Sequence, residues 1–246
     1  MLYQIILASV IGGVLSLMGG LVLLWKEEFA KRISFYLISF AAGSLLGAAF
    51  FEILPEALAG AGEGVLAFAL LGIVLVLIFE KFLGYFHHHD QELHPSSLSV
   101  HTVLLGDTLH NFIDGVAIAL AFAVSPQVGI STTFAVFIHE IPQEIGDFGV
   151  FIRHGYSRVK IIGYNLITAG ATLVGAVITY FAFPYFPENA MFYGLGLAAG
   201  TFIYISTSDL IPELREHTAG GFGLAHILVI LLGIATVALL SGIIPE

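Results

Sequence analysis

Apolar residues run through this chain in long, nearly uninterrupted stretches rather than in alternating or half-turn patterns. Stretches of roughly 18 or more residues with few charges are long enough to cross a bilayer as helices. The pattern predicts eight, at residues 2–25, 33–59, 64–83, 98–124, 128–152, 159–183, 190–212 and 222–244. Met1 to Gln4 carries no basic residue, and the apolar stretch behind it runs to Trp25. A secretory signal has a charged start and a shorter core, so this segment is expected to be the first span. No soluble domain is set apart from the runs. The expected architecture is one all-α transmembrane domain over 1–246, with its function inside the membrane.

The basic residues test that count. All eight, Lys26, Lys31, Arg32, Lys81, Arg153, Arg158, Lys160 and Arg215, fall at connections 1–2, 3–4, 5–6 or 7–8. Connections 2–3, 4–5 and 6–7 carry none. A wrong span count would scramble this alternation. By the positive-inside rule the odd connections are cytoplasmic and both termini lie outside, in a plasma or cell membrane.

Composition changes the picture in three ways. The chain is 58% hydrophobic and 11% charged, against about 25% charged in soluble domains. Its net charge of −10 does not mark an acidic soluble protein, because many acids sit inside the apolar runs. With no basic patch, nucleic acid is excluded as a partner. Without cysteine there are no disulfides, thiolate ligands or thiol nucleophiles.

Two further patterns stand out. Within the connection at 84–97, His87, His88, His89 and His94 lie beside Asp90 and Glu92. Such a His tract with acids suits capture of borderline metals, although a solvated loop has the same composition. The second span reads Ala41-Ala42-Gly43, then Glu52-Ile53-Leu54-Pro55-Glu56; the seventh reads Ala198-Ala199-Gly200, then Asp209-Leu210-Ile211-Pro212-Glu213. The offset is 157 throughout (198 − 41, 209 − 52, 213 − 56). These spans cross in opposite directions. The chain is therefore expected to hold an inverted repeat of spans 1–3 and 6–8 around a central pair, 4 and 5, as secondary transporters do.

The central pair carries the chemistry. Span four holds Asp107, His110, Asn111 and Asp114; span five holds His139, Glu140, Gln143, Glu144 and Asp147. At about 100° per residue, each set falls on one stripe of its helix. A single polar group in a span can be a satisfied interhelical hydrogen bond. Two full stripes of imidazole, carboxylate and amide mark an ion pathway. The donors suit zinc, and also iron, manganese, cobalt or nickel; without thiolate, copper(I) is disfavoured. Pro142 removes one helix hydrogen bond and frees the Ile138 carbonyl, the sort of opened backbone that transport sites use. Glu52 and Asp209 lie deep in their spans and are expected, with Asp107 and Asp147, along the ion's route.

At these residues the chain resembles the Zrt/Irt-like (ZIP) family of metal transporters. His110-Asn111-Phe112-Ile113-Asp114-Gly115 matches the family's His-Asn-x-x-acid-Gly element. His139-Glu140-Ile141-Pro142-Gln143-Glu144-Ile145-Gly146-Asp147 matches one subfamily's His-Glu-x-Pro-His-Glu-x-Gly-Asp signature, except that Gln143 replaces the second His. The eight-span layout and the His-bearing connection fit as well. The resemblance implies import toward the cytoplasm through a two-metal site. By position, His110, Asp114, His139 and Gln143 would surround one metal, and Asn111, Asp114, Glu140 and Gln143 the other. The neutral amide of Gln143 would weaken that site. Span six, around Asn165 to Thr172, offers only neutral polar groups where some relatives place a Glu.

Zinc is thus expected as cargo rather than cofactor, and the chain as no enzyme. The expected partners are divalent metal ions and the lipid bilayer, with a homodimer left open. Three other functions are compatible with the residues, one of them a metal-responsive membrane sensor without flux. Another is an intramembrane zinc metalloprotease, because His139-Glu140-x-x-Gln143 is one residue from His-Glu-x-x-His. The third is a proton-linked carrier of an organic solute.

Overall fold

The structure, a computed structural model, describes residues 1–93, 100–217 and 222–243. Among the described residues every regular element is helical, as apolar surroundings demand: a helix satisfies its own backbone hydrogen bonds without water.

The segments join into rods. Rod α1 runs over Leu2–Trp25 through a widened π turn at Val10–Val14 and a tightened one at Leu15–Leu17. Rod α2 comprises Glu27–Ala48, a π turn at Ala49–Ile53 and Leu54–Ala61. Rods α3 (Gly64–Leu93), α4 (Val100–Val124), α5 (Pro126–Arg153) and α6 (Arg158–Ala182) are continuous helices. Rod α7 comprises Glu188–Tyr204, a π turn at Ile205–Leu210 and Ile211–His217; α8 is Leu224–Ile243. In α1, α2, α3, α4, α6 and α7, 6 stretches are long and apolar enough to cross a membrane. The 28 residues of α5 are diluted by the polar stripe of His139 to Asp147, and the apolar part of α8, Leu224–Leu240, is shorter.

The rods outrun the apolar stretches because hydropathy marks the part that meets lipid, not the point where the helix stops. Thus α2 begins at Glu27 and α3 continues to Leu93. Rod α5 begins at Pro126 because the Ser125 hydroxyl accepts the Val128 N–H at 3.2 Å and Pro suits the first turn. Gly62 and Gly155, both at positive φ, turn the chain after α2 and α5.

The expected opening at Pro142 is absent. Rod α5 passes through it as unbroken α-helix, and the widened turns lie elsewhere, at Val10–Val14 in α1, at Glu52 in α2 and at Asp209 in α7. A helix wedged between neighbours can lose one hydrogen bond without unwinding. The hydroxyl of Ser206, inside the α7 π turn, donates to the Ala42 carbonyl of α2 at 2.9 Å, tying the two rods together.

Small residues let the rods approach closely. A Cβ at Gly43 would lie 2.0 Å from the Ile230 carbonyl oxygen, and one at Gly233 would lie 2.3 Å from that of Phe40, at the α2–α8 crossing. At the α3–α7 crossing, Gly200 meets the Ala69 carbonyl at 2.0 Å and Gly72 that of Leu197 at 2.2 Å in the same sense. Gly43 to Gly200 and Phe40 to Leu197 are both steps of 157; Ala69 to Ile230 and Gly72 to Gly233 are both 161. One crossing is therefore built twice. Burial sorts the rods: 72% of the apolar window of α2 is buried but only 17% of that of α3. Rods α2 and α7 are the most buried of these stretches, while Leu70 and Ile78 of α3, Ile167 and Ile178 of α6 and Leu228 and Leu239 of α8 face outward.

Candidate metal centre

Rods α4 and α5 cross in the interior with their polar stripes toward one another. His110 and Asp114 stand one turn apart on α4; His139 and Glu140 are neighbours on α5. One ligand atom from each falls within 4.8 Å of all the others. His110 Nε2 and His139 Nε2 are 3.1 Å apart. Asp114 Oδ2 lies 3.1 Å from His139 Nε2 and 3.8 Å from His110 Nε2. Glu140 Oε1 lies 3.4 Å from His110 Nε2 and 3.5 Å from His139 Nε2. The His139 Nδ1–H donates to the Ala135 carbonyl at 3.0 Å, which fixes the ring and turns Nε2 to the centre.

Three of the four side chains are at most 1% exposed, whereas His110 is 20% exposed. Asp114 Oδ2 and both Glu140 carboxylate oxygens have no hydrogen-bond partner. Lys81, within rod α3, is exposed, and the other Lys and Arg residues lie in the first two or last two turns of rods or at connections. Buried carboxylates in such surroundings are strongly disfavoured unless a cation joins them. Two imidazole nitrogens and two carboxylate oxygens at this spacing form the donor set of a divalent transition metal.

The remaining stripe residues are arranged differently. Asn111 does not turn to the quartet: its amide nitrogen donates to Asp107 Oδ1 at 2.9 Å, and its oxygen accepts the Thr172 hydroxyl at 2.7 Å. The Gln143 amide nitrogen also reaches Asp107 Oδ1, at 3.3 Å. Glu144 is buried beyond the quartet with neither oxygen hydrogen-bonded, and Asp147 is half-buried farther along α5. On α6, the Asn165 amide nitrogen donates to the Ile161 carbonyl at 2.8 Å, leaving its buried oxygen unpartnered.

One side of the centre opens into a cavity of about 380 Å³ lined by Glu80, His110, Gln143, Asp209 and Glu213, among others. Here the Tyr204 hydroxyl donates to Glu80 Oε2. Asp209 lines this vestibule, but its repeat counterpart Glu52 does not. Glu52 is 4% exposed and accepts the Ser131 hydroxyl at 3.2 Å. Glu80 and Tyr204 were not singled out from sequence: Glu80 precedes Lys81 at a span end, and Tyr204 is embedded in apolar neighbours. Only their spacing from Asp209 across two rods joins them. His87, His88 and His89 ride on the last turns of α3, with side chains outside the described residues; His94 lies outside them altogether.

Several apolar rods around a buried, metal-competent centre define an integral, multi-pass membrane protein. The profile of the ZIP Zinc transporter family matches residues 86–241. Zinc transporter ZIP13 of Pongo abelii is 34% identical over 221 residues, covering 83% of this chain and 66% of that protein. Zinc transporter foi of Drosophila melanogaster is 39% identical over 140 residues, 56% of this chain and 20% of that protein. Zinc transporter ZIP13 of Danio rerio is 38% identical over 139 residues, 56% of this chain and 40% of that protein. The chain belongs to the ZIP zinc transporter family, and its matches span under two thirds of these relatives' lengths.

Proposed function

We propose that this chain carries divalent transition-metal ions across its membrane toward the cytoplasm, with zinc the main cargo and iron and manganese also accepted. The observation that carries this is the quartet of His110, Asp114, His139 and Glu140: four donor atoms within 4.8 Å, buried between two rods and opening on one side into an acid-lined vestibule. The relatives' names agree with zinc as cargo.

The rods form eight spans, with units 1–3 and 6–8 inverted about α4 and α5. The duplicated glycine crossings, at steps of 157 and 161, support that arrangement. Lys81 and Arg215 flank the vestibule acids Glu80 and Glu213, which makes the vestibule the cytoplasmic mouth and puts both termini outside. The ion enters from the Glu52 side, exchanges water for the quartet and leaves past His110 and Gln143 to Asp209. Asn111, Glu144, Asp107 and Asp147 form the polar wall along this route. His87, His88, His89 and His94 capture the ion at the cytoplasmic face. An ion must bind well enough to enter and weakly enough to leave, and a vestibule of carboxylates (Glu80, Asp209, Glu213) beyond a nitrogen-bearing centre meets that need.

Neither the protease nor the organic-solute carrier gains support. Glu140, the base that proteolysis would need, stands among the ligands, and the family is one of transporters. The test is uptake of zinc, manganese and iron into proteoliposomes by the wild type and a His110→Ala variant. Saturable zinc uptake that His110→Ala abolishes is expected; uptake indifferent to that change would overturn the assignment.

A further inference from the structure

Two pairs of rods are clamped together at glycines, and a furrow is left between the pairs. Rods α3 and α7 close on each other where a Cβ at Gly72 would lie 2.2 Å from the Leu197 carbonyl oxygen. Rods α4 and α6 do so where a Cβ at Gly115 would lie 1.9 Å from the Thr172 carbonyl oxygen and one at Gly175 2.2 Å from that of Phe112. Between the pairs, cavities of about 540 and 520 Å³ follow one another. Both are lined by Val116 of α4 and Leu197 of α7, so they form one furrow. Ile78 and Phe82 of α3 line the first and Ile178 of α6 the second. All three are exposed, which turns the mouth of the furrow toward lipid.

The walls limit what can lie there. Of the described residues lining the first cavity, His110 and Thr201 alone are polar. Thr201 spends its hydroxyl proton on the Ala198 carbonyl at 2.7 Å, and His110 directs Nε2 to His139. An empty apolar slot forfeits dispersion contacts along all its walls, so its natural occupant is hydrocarbon. The rim adds a charge. Glu80 turns inward and accepts the Tyr204 hydroxyl, whereas Lys81 is exposed. Lys81 stands three residues past Ile78 and therefore on the adjoining face of α3. A basic group at a span end attracts anionic headgroups. A helix of a second copy would fill the slot but bring no anion to Lys81; a phospholipid brings an apolar chain and a phosphate together.

We propose that the furrow is a phospholipid site, in which one acyl chain lies between α3 and α4, the phosphate rests on Lys81, and the chain forms the apolar wall beside His110. Under the orientation proposed above, the lipid comes from the cytoplasmic leaflet. His110 lines both the acid vestibule and the furrow. With the furrow filled, water reaches the ring from the vestibule alone, and drier surroundings strengthen the attraction between an ion and its carboxylates. This role as a wall rests on the quartet as the transport site; the lipid site does not.

The full chain is purified in mild detergent, stripped of lipid and incubated with equal amounts of dioleoyl phosphatidylglycerol and dioleoyl phosphatidylcholine. Native mass spectrometry counts the lipid retained. One lipid per chain is expected, with phosphatidylglycerol preferred about fivefold, the factor that one basic residue gives near anionic headgroups. Lys81→Gln should keep a lipid and lose the preference. Val116→Phe and Leu197→Phe each fill the junction of the two cavities. They should lose the lipid while their thermal midpoints show a folded protein. Zinc titration of the wild type should give binding about threefold tighter, or more, with lipid than without. Unchanged retention in both folded phenylalanine variants overturns the site, and equal retention of the two lipids by the wild type overturns the phosphate contact. A lipid-free dimer that Val116→Phe splits gives the furrow to a second copy and overturns the proposal too. Equal zinc affinity with and without lipid overturns the role as a wall. Absence of zinc binding in both forms would overturn the quartet as the transport site, while the count of retained lipid decides the lipid site on its own.

Discussion

Asp114 is the residue on which the centre turns. It is the carboxylate nearest His139, at 3.1 Å, and it shares a helix face with His110. Without it, two imidazoles face each other with one carboxylate to balance a divalent ion. Asp114→Ala and His110→Ala should each lower zinc uptake by at least about tenfold while the protein still folds, because each removes a donor of the proposed metal centre. Vesicle flux compared with thermal midpoints checks this. Gln143→His replaces a weak neutral oxygen donor by imidazole. It should tighten zinc binding about tenfold, with an equal or lower maximal rate because release slows. Unchanged zinc affinity in that variant would mean that Gln143 does not reach the ion. Much of this was legible in sequence because a helix converts spacing into direction: residues four apart share a face, so the stripes of α4 and α5 could be drawn in advance. What the stripes could not tell was rotamer choice. Asn111 lies on the correct face and still turns aside, because Thr172, 61 positions away, offers its oxygen a better partner.

The crossings of the rods were less legible than the rods themselves. Apolar length announces a helix, but packing depends on which glycines meet which carbonyls. Gly43 and Gly200 sit at the corresponding place in two such crossings, each with a backbone oxygen 2.0 Å from where a Cβ would be. A backbone cannot yield as a side-chain tip can. Gly43→Ala and Gly200→Ala should each destabilise the protein by about 1–3 kcal/mol, as overpacking does, and to similar extents. Chemical or thermal unfolding in detergent measures it. A much larger loss in one variant than in the other would show that the two crossings are not equivalent. Pro142 illustrates the opposite error. Local chemistry suggested an opened backbone there, whereas the turns at Glu52 and Asp209 widened just before Pro55 and Pro212, each of which denies the preceding turn a hydrogen bond.

For the molecule as a whole, charge placement makes the most direct claim. The chain has no cysteine, so single cysteines report topology without background. Ser157→Cys, exposed between α5 and α6, should resist a membrane-impermeant reagent applied from outside, whereas Asn189→Cys at the start of α7 should react. Reversal of that pattern would invert the proposed direction of transport. A second whole-molecule expectation follows from the unpartnered carboxylates at the centre. Zinc at about 100 times its dissociation constant should raise the folded state's stability by about 2.7 kcal/mol, and a chelator should reverse it. A thermal midpoint indifferent to zinc would argue that no ion is held there.

Glu52 and Asp209 occupy the same place in two copies of one sequence pattern, yet one is sealed on Ser131 and the other is open to the vestibule. Two halves built on one pattern, as the proposed inverted repeat has them, can trade such postures. Under the proposed inverted repeat, the state open to the other side of the membrane needs no new kinds of contact, only an exchange of roles between halves. The free-energy gap between the two is then confined to the side chains in which the halves differ. A gap of a few kcal/mol can be overturned by a ligand that prefers one posture by that amount. The cargo can therefore act as the trigger of its own passage, and a single substitution that makes the halves more alike should shift the resting balance without touching the metal.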